Sequence, residues 1–467
     1  MVGGFQDFIN DDTIYTVDDI PVILEVLKSS GVLDIVKNGK KAKVSYYNTP
    51  CGFDIETSSF LSNQSEKTAI MYIWTFGIGG YIVQGRTWEE FTRLCDTLTE
   101  ELNLSEALHI LCYCHNLSYE FQFLRKWFEW EKVFAIDERK PVYGVTTGGI
   151  EFRCSLILSG YSLAVLGDML HDYSIRKVVG GLDYSLIRHK STPLTDIELL
   201  YCVNDVKVVM CYIMERIEES GTIAKIPLTK TGYVRNFCRE KCMRTPGVPR
   251  NRDLKALKFR EIITRMNLVP EEYAQLKRAF QGGFTHANAF ASGKIITDPV
   301  TSYDFTSSYP TVLVADKFPI SSSERIDKIS ESEFEKSISL YCCIFDVAFY
   351  NIRPKIWDEN YISVSRCFSK ENVVENNGRV VTADKIATTI TETDYMIISK
   401  YYEWDYDLME ISNFRRYKKG YLPTDFVKAV IELYKMKTTL KGVEGQEIKY
   451  MRYKEMLNSC YRWNDSN

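Results

Sequence analysis

The chain lacks any run of 18 apolar residues, and its start, M-V-G-G-F-Q-D-F-I-N-D-D, lacks the basic-then-apolar order of an export signal. Membrane spanning and secretion are therefore not expected, and a cytoplasmic setting is. Its thirteen cysteines contain no C-x-x-C pair, which argues against a zinc site and for reduced, buried thiols. No long low-complexity tract breaks the chain, so packed structure is expected throughout. A basic excess is missing too: the net charge is −4 and the pI near 5.9, unlike most nucleic-acid-binding domains. The average conceals a gradient, because residues 411–467 hold twelve Lys or Arg against six Asp or Glu. A local basic channel offset by acidic clusters elsewhere fits both facts.

With 467 residues, 45% hydrophobic and 13% aromatic, two or three packed domains are the default. Residues 19–37 are amphipathic, and Ala42 to Tyr47 alternates as a short strand. The stretch G-F-D-I-E-T-S-S-F reads as a strand, with A-I-M-Y-I-W-T-F-G-I as its hairpin partner. Thr87 and Glu90 form a capping box at the start of a helix. A buried strand over Leu108 to His115 then precedes a helix over Leu117 to Trp130. A long helix begins near Thr195, and Gly221 to Pro227 marks a boundary. A strand is expected to lead into Asp304, with Pro310 in the first turn of the next helix. Residues 320–390 are mostly β with charged turns, and Leu422 to Met436 and Gln446 to Tyr461 are closing helices. Strands alternating with helices indicate a mixed α/β (α+β) fold.

Three elements carry acids. Asp54 and Glu56 sit two apart on a strand and share a face. Glu120 falls in the first turn of a helix in H-N-L-S-Y-E-F-Q-F-L, and Tyr201 and Asp205 are one helical turn apart in Y-C-V-N-D. Each alone also fits a solvated strand end, a helix cap or an exposed helix face. Together, each at an element end, they suit one site in which hard oxygen ligands hold two divalent ions, Mg²⁺ or Mn²⁺. Tyr201 could orient an attacking water, while Asn116, Tyr119 and Phe123 could grip and stack a single-stranded end.

The order D-x-E, then N-x-x-(Y/F)-acid, then Y-x-x-x-D resembles the three exonuclease motifs of proofreading family B DNA polymerases. It is particularly similar to the protein-primed branch of phages and linear plasmids, whose second motif reads H-N-L followed by an aromatic and an acid. That acid is usually aspartate in the branch, and Glu120 is one methylene longer. The resemblance implies a ribonuclease-H-like 3′-to-5′ exonuclease domain over residues 1–225 with Asp54, Glu56, Glu120 and Asp205 as metal ligands.

The resemblance continues downstream. F-Q-G-G-F, Phe280 to Phe284, is similar to the Y-x-G-G element that contacts template phosphates, with Phe280, Gly282 and Gly283 as the contacts. D-F-T-S-S-Y-P resembles motif A, which implies that Asp304 is a metal ligand and that Phe305 offers its carbonyl. By the same resemblance Tyr309 excludes a ribose 2′-hydroxyl by its bulk. Lys454, Asn458 and Tyr461 form one helical stripe resembling motif B, where the lysine meets the triphosphate and the tyrosine stacks near the base. The implied layout is connecting helices and the G-G turn over 226–300, then a partial palm over 301–467. That palm would contain an insertion at about 320–395 and finger helices at about 422–467.

After Tyr461 the chain reads R-W-N-D-S-N in place of the family's glycine, and no second palm acid is present. T-E-T-D-Y at Thr391 to Tyr395 precedes motif B and reads as a helix start. The expectation is thus the amino-terminal part of a protein-primed DNA polymerase with a proofreading exonuclease, and little synthesis by this chain alone. DNA, dNTPs, a terminal priming protein and a second polypeptide carrying the rest are the implied partners, in a host cytoplasm if the source is a phage. Two alternatives stand beside it: a free-standing 3′-to-5′ single-stranded DNA exonuclease, and a non-catalytic DNA-binding replication subunit.

Overall fold

The computed structural model describes residues 2–62, 66–178, 180, 182–249, 252–285, 291, 293–356, 360–444 and 446–460. It divides into two compact units, Met1–Tyr233 and Val234–Asn467.

The first unit is built on one mixed sheet. Its main strands are β1 (Ile14–Tyr15), β2 (Cys51–Ser62), β3 (Glu66–Ile78), β4 (Tyr81–Gly85), β5 (Leu108–Cys114), β6 (Trp130–Ala135), β7 (Pro141–Thr146) and β8 (Ile150–Cys154). They run in the spatial order β1-β4-β3-β2-β5-β8-β7-β6. β2 is antiparallel to β3 and parallel to β5, which is parallel to β8. The central strand β5 reads as an apolar run because both of its faces are covered. Pairing along the β2–β3 hairpin is interrupted by a bulge. Glu56 faces Ile73 and Thr57 faces Met71, which leaves Tyr72 as the extra residue.

Two layers of helix cover this sheet. Helix α1 (Trp88–Glu101) starts with the expected capping box. The Glu90 amide donates to Thr87 Oγ1 at 3.2 Å, and the Thr87 amide donates to the Glu90 carboxylate at 2.9 Å. Its Phe91, Leu94 and Leu98 join Phe53, Trp74 and Phe76 in one core. Helix α2 (Leu117–Leu124) ends earlier than the sequence pattern suggested. Phe128 and Trp130 pack against that same core, and Trp130 already opens β6.

Helix α3 (Asp196–Ser220) opens on a second capping box, Thr195 with Glu198, and packs Val206, Met210 and Ile213 with Leu111 and Tyr113. A Cβ on Gly77 would lie 2.5 Å from Met210 Sδ, and one on Gly52 would lie 3.1 Å from Val206 Cγ1. Lacking side chains at both positions, the sheet lets α3 settle closely, and Asp205 on α3 comes down to the strand bearing Asp54 and Glu56.

In the second unit, β9 (Tyr341–Pro354) pairs antiparallel with β10 (Arg379–Thr391) and with β11 (Glu410–Gly420). Helices α4 (Pro270–Ala279), α5 (Ser308–Ala315), α6 (Glu392–Tyr401), α7 (Thr424–Leu440) and α8 (Glu447–Ser459) accompany it. Alternation along β9 sends Cys343, Phe345, Val347 and Phe349 into a core with Ile398 of α6. Cys342 and Ile344 face the other way, against Ala279 of α4. A third core joins Leu313 of α5, Val430 and Leu433 of α7, and Leu457 of α8.

The strand expected before Asp304 does not form, and residues 293–305 adopt no helix or strand. A strand exists through hydrogen bonds to a neighbour, and among the described residues no strand pairs with this segment. The thirteen cysteines are free and buried. No described helix is long and apolar enough to cross a membrane.

Candidate active site

β2 and α3 bring three acids together: carboxylate oxygens of Asp54, Glu56 and Asp205 all lie within 4.8 Å of one another. Glu56 and Asp205 are buried and Asp54 is partly buried. Loss of hydration is the main reason the Asp54 carboxyl is pushed up to about 7, with repulsion from Asp205 adding to it. Glu56 is pushed up to about 9 by burial first and then by Asp54 and Asp205. Burial also raises Asp205, opposed by Lys177, whose Nζ donates to Oδ2 at 2.7 Å. The other oxygen, Asp205 Oδ1, is buried with no hydrogen-bond partner.

Glu120 sits in the first turn of α2, 3% exposed, outside the three-acid group. Burial, and then the charges of Asp54 and Glu56, push its carboxyl well above the usual range. Its Oε2 is buried without a partner. Buried, mutually repelling oxygens with unused lone pairs are the donor set that a hard divalent cation satisfies. These residues fit such ions, and Lys177 places one positive charge against Asp205.

Tyrosines flank the acids. Tyr201 lies one turn before Asp205 on α3, with Lys177 Nζ 5.1 Å from its ring centre. Its hydroxyl is 3.1 Å from that of Tyr184, and burial pushes the Tyr201 phenol up to about 12, so it keeps its proton at neutral pH. Sequence reasoning passed over Lys177 and Tyr184, because both lie on an irregular segment between residues 171 and 195 that offers no periodic signal. Arg188 pins that segment: its amide donates to Ser58 Oγ at 2.7 Å, and its guanidinium bonds the Asp183 carbonyl and the Glu198 carboxylate. Arg86 adds bonds to the carbonyls of Thr192 at 2.8 Å and His189 at 3.1 Å.

On the α2 side, the Tyr119 hydroxyl shares a hydrogen bond with Thr57 Oγ1, just past Glu56. Phe123 follows one turn later, its ring centre 5.4 Å from that of Tyr119. Asn116 caps α2 from a left-handed conformation, φ 81°, and its side chain makes no cap bond. A partly exposed aromatic wall thus stands beside the acids. Thr57 was the other participant the sequence reading missed, since one threonine in T-S-S carries no distinguishing pattern.

The second candidate centre is assembled on α5, α7 and α8. Asp304 and Phe305 are exposed on the loop before α5, and Tyr309 lies in its first turn. Ser307 caps α5 at φ 52°, and its Oγ accepts a 2.9 Å hydrogen bond from Lys437 Nζ on α7. Lys454 and Asn458 are exposed one turn apart on α8, while Leu457 between them is buried. Tyr461 lies outside the described residues. Phe280, Gly282 and Gly283 are exposed just after α4. Among the described residues Asp304 belongs to no group of three acids close enough to share an ion.

The fold is that of Phi29 DNA polymerase. The ternary complex of that enzyme with primer-template DNA and incoming nucleotide substrates matches with a TM-score of 0.62 at 14% identity, over 89% of this chain and 68% of that one. Its post-translocation binary complex with primer-template DNA matches at 0.64 and 15%, over 90% and 68%. Its complex with single-stranded DNA matches at 0.62 and 14%, over 88% and 67%. No curated protein matches the chain by sequence. The sequence profile described as DNA polymerase type B, organellar and viral, matches residues 181–461, a span that includes Asp205, Asp304 and Lys454. The chain belongs to the organellar and viral type B DNA polymerases.

Proposed function

We propose that this chain acts as a protein-primed DNA-directed DNA polymerase, with 3′-to-5′ hydrolysis of single-stranded DNA in its first unit. The observation that carries the nuclease reading is the group of Asp54, Glu56 and Asp205, the last two buried, whose oxygens approach within 4.8 Å with a lone pair of Asp205 left unused. Asp54, Glu56, Glu120 and Asp205 would hold two Mg²⁺ or Mn²⁺ ions, which lower the pKa of an attacking water and neutralise the leaving oxygen.

The chain's own residues do the rest. Tyr119 and Phe123 stack the terminal bases, and Asn116 reaches the sugar-phosphate backbone. Lys177 and the protonated hydroxyls of Tyr201 and Tyr184 surround the scissile phosphate as donors. In the second unit Asp304 is the metal ligand, Tyr309 screens the sugar, and Lys454, Asn458 and Tyr461 receive the triphosphate and base. Phe280, Gly282 and Gly283 contact the template strand. DNA and dNTPs are the substrates, and a terminal priming protein is the further partner.

End-labelled single-stranded DNA tests the nuclease. Wild-type protein with Mg²⁺ shortens it from the 3′ end, and Asp54→Ala stops this; unchanged digestion by that variant sinks the reading. A free-standing exonuclease is the second reading, favoured by the three acids gathered in the first unit, whereas among the described residues Asp304 joins no such group. Binding of dNTP in the presence of metal, lost in Asp304→Asn and Lys454→Ala, separates the two.

A further inference from the structure

The two glycines of F-Q-G-G-F answer to nothing among the described residues. A Cβ built on Gly282 or Gly283 meets no atom of the described residues within 4 Å, and neither residue has a positive φ. Neither packing nor backbone conformation therefore calls for glycine here, although glycine raises the entropy lost on ordering a loop. The room above these two peptides serves something that approaches from outside.

The residues on either side are held firmly. At the end of α4 the Arg278 carbonyl accepts a hydrogen bond from Arg366, while the Arg278 guanidinium bonds Thr389 at 3.1 Å and Asp346 at 3.3 Å. Gln281 Nε2 then donates to Asp394 Oδ1 at 2.6 Å and to the Tyr361 hydroxyl at 2.9 Å. Tyr361 in turn donates to the same Asp394 oxygen at 2.5 Å. Beyond the glycines, the ring centre of Phe284 is 5.7 Å from that of Tyr361 and 4.9 Å from the Arg379 guanidinium. The carboxylate at the centre of this arrangement is buried, and its other oxygen accepts from Thr391 N and Oγ1, the capping box of α6.

We propose that Asp394 and Tyr361 are positioning residues that hold the Gly282–Gly283 peptides as a preformed seat for the phosphodiester backbone of a DNA duplex. The inference rests on the polymerase reading and deepens it. Two bare peptide units suspended between fixed neighbours present their amides to a phosphate without an ordering cost at the moment of binding. Asp394, which reads in the sequence as a helix cap, has two tasks, one for each oxygen.

Variants that cut one task at a time test this. Gln281→Ala and Tyr361→Phe remove bonds of the clamp and leave the α6 cap intact; Thr391→Ala weakens the cap and leaves the clamp. Binding of fluorescent primer-template duplex by the metal-free chain is read by anisotropy beside a thermal melt. The clamp variants are expected to bind about 5- to 20-fold more weakly, with little change in melting temperature. Thr391→Ala should melt earlier yet bind as wild type, and Gly282→Ala should bind weakly and melt as wild type. If Gln281→Ala and Tyr361→Phe bind as tightly as wild type, or Thr391→Ala weakens binding as much as they do, the positioning role is wrong. If wild-type protein fails to bind duplex at all, the polymerase reading itself falls.

Discussion

Replacing Glu56 by glutamine should stabilise the metal-free protein, although it removes a residue placed in the active site. The folded chain pushes this carboxyl from its ordinary value of 4.5 up to about 9, so between those limits the native state keeps a proton that the unfolded chain releases. More protons bound in the native state means that stability falls as pH rises, by about 1.4 kcal/mol per pH unit for one proton. From 4.5 to a pH of about 7.5 is about three units, or about 4 kcal/mol, which sharing of the proton with Asp54 and partial hydration cut to about 2 kcal/mol. Glutamine in the same place needs no proton, and the variant escapes this cost. Urea unfolding in EDTA across a pH range of about 5.5 to 8 measures it. Wild-type stability should decline along that range, with a shallower decline for Glu56→Gln. Added Mg²⁺ should reverse the wild-type trend, raising stability more at the alkaline end, because metal takes the place of the proton. Wild-type stability that is flat or rising with pH in EDTA, or a variant less stable than wild type at a pH of about 7.5, would refute the reasoning.

Other outcomes follow from the same geometry. Asp205→Asn should cut metal-dependent digestion of single-stranded DNA by at least about 100-fold while the folded state persists, as a melting curve run beside the assay would show. Arg188→Ala strips the two guanidinium anchors, to the Asp183 carbonyl and the Glu198 carboxylate, from the segment carrying Tyr184, while its amide keeps the bond to Ser58. The expected loss is about 1 to 2 kcal/mol, with faster proteolytic cutting between residues 171 and 195. Gly77→Ala drives a methyl into Met210 and should cost about 1 to 3 kcal/mol. Because it lifts the helix bearing Asp205, it should also weaken Mg²⁺ binding, which titration calorimetry would record.

Local chemistry explains which parts were legible from sequence. Both capping boxes, Thr87 with Glu90 and Thr195 with Glu198, are short-range patterns whose physics is contained in four residues, and both form. The D-x-E pair and the i, i+4 Tyr201–Asp205 pair share faces for the same reason, and α3 then closes the distance between them. Lys177 and Tyr184 were hidden because their placement depends on Arg188 reaching out of an aperiodic segment and on Arg86 reaching into it, and no period marks a tertiary tether. The early end of α2 was hidden for another reason. Helix propensity continues past Leu124, but the demand of the core for Phe128 and Trp130 overrides it. The loop before α5 alternates like a strand, yet an alternating sequence without a partner strand remains a loop.

The bulge at Tyr72 divides the long hairpin into two ribbons that count out of step. Pairs on the root side, Asp54 with Thr75 and Glu56 with Ile73, fix the acids; pairs on the tip side, from Thr57 with Met71 outward, obey a register of their own. Length changes in the arm are absorbed before they reach the root, since the phase is already broken between them. Changes in the arm can therefore leave Asp54 and Glu56 where they are. Deleting Tyr72 would join the two ribbons into one continuous ladder, and any later slip at the tip would then be passed directly to the acids.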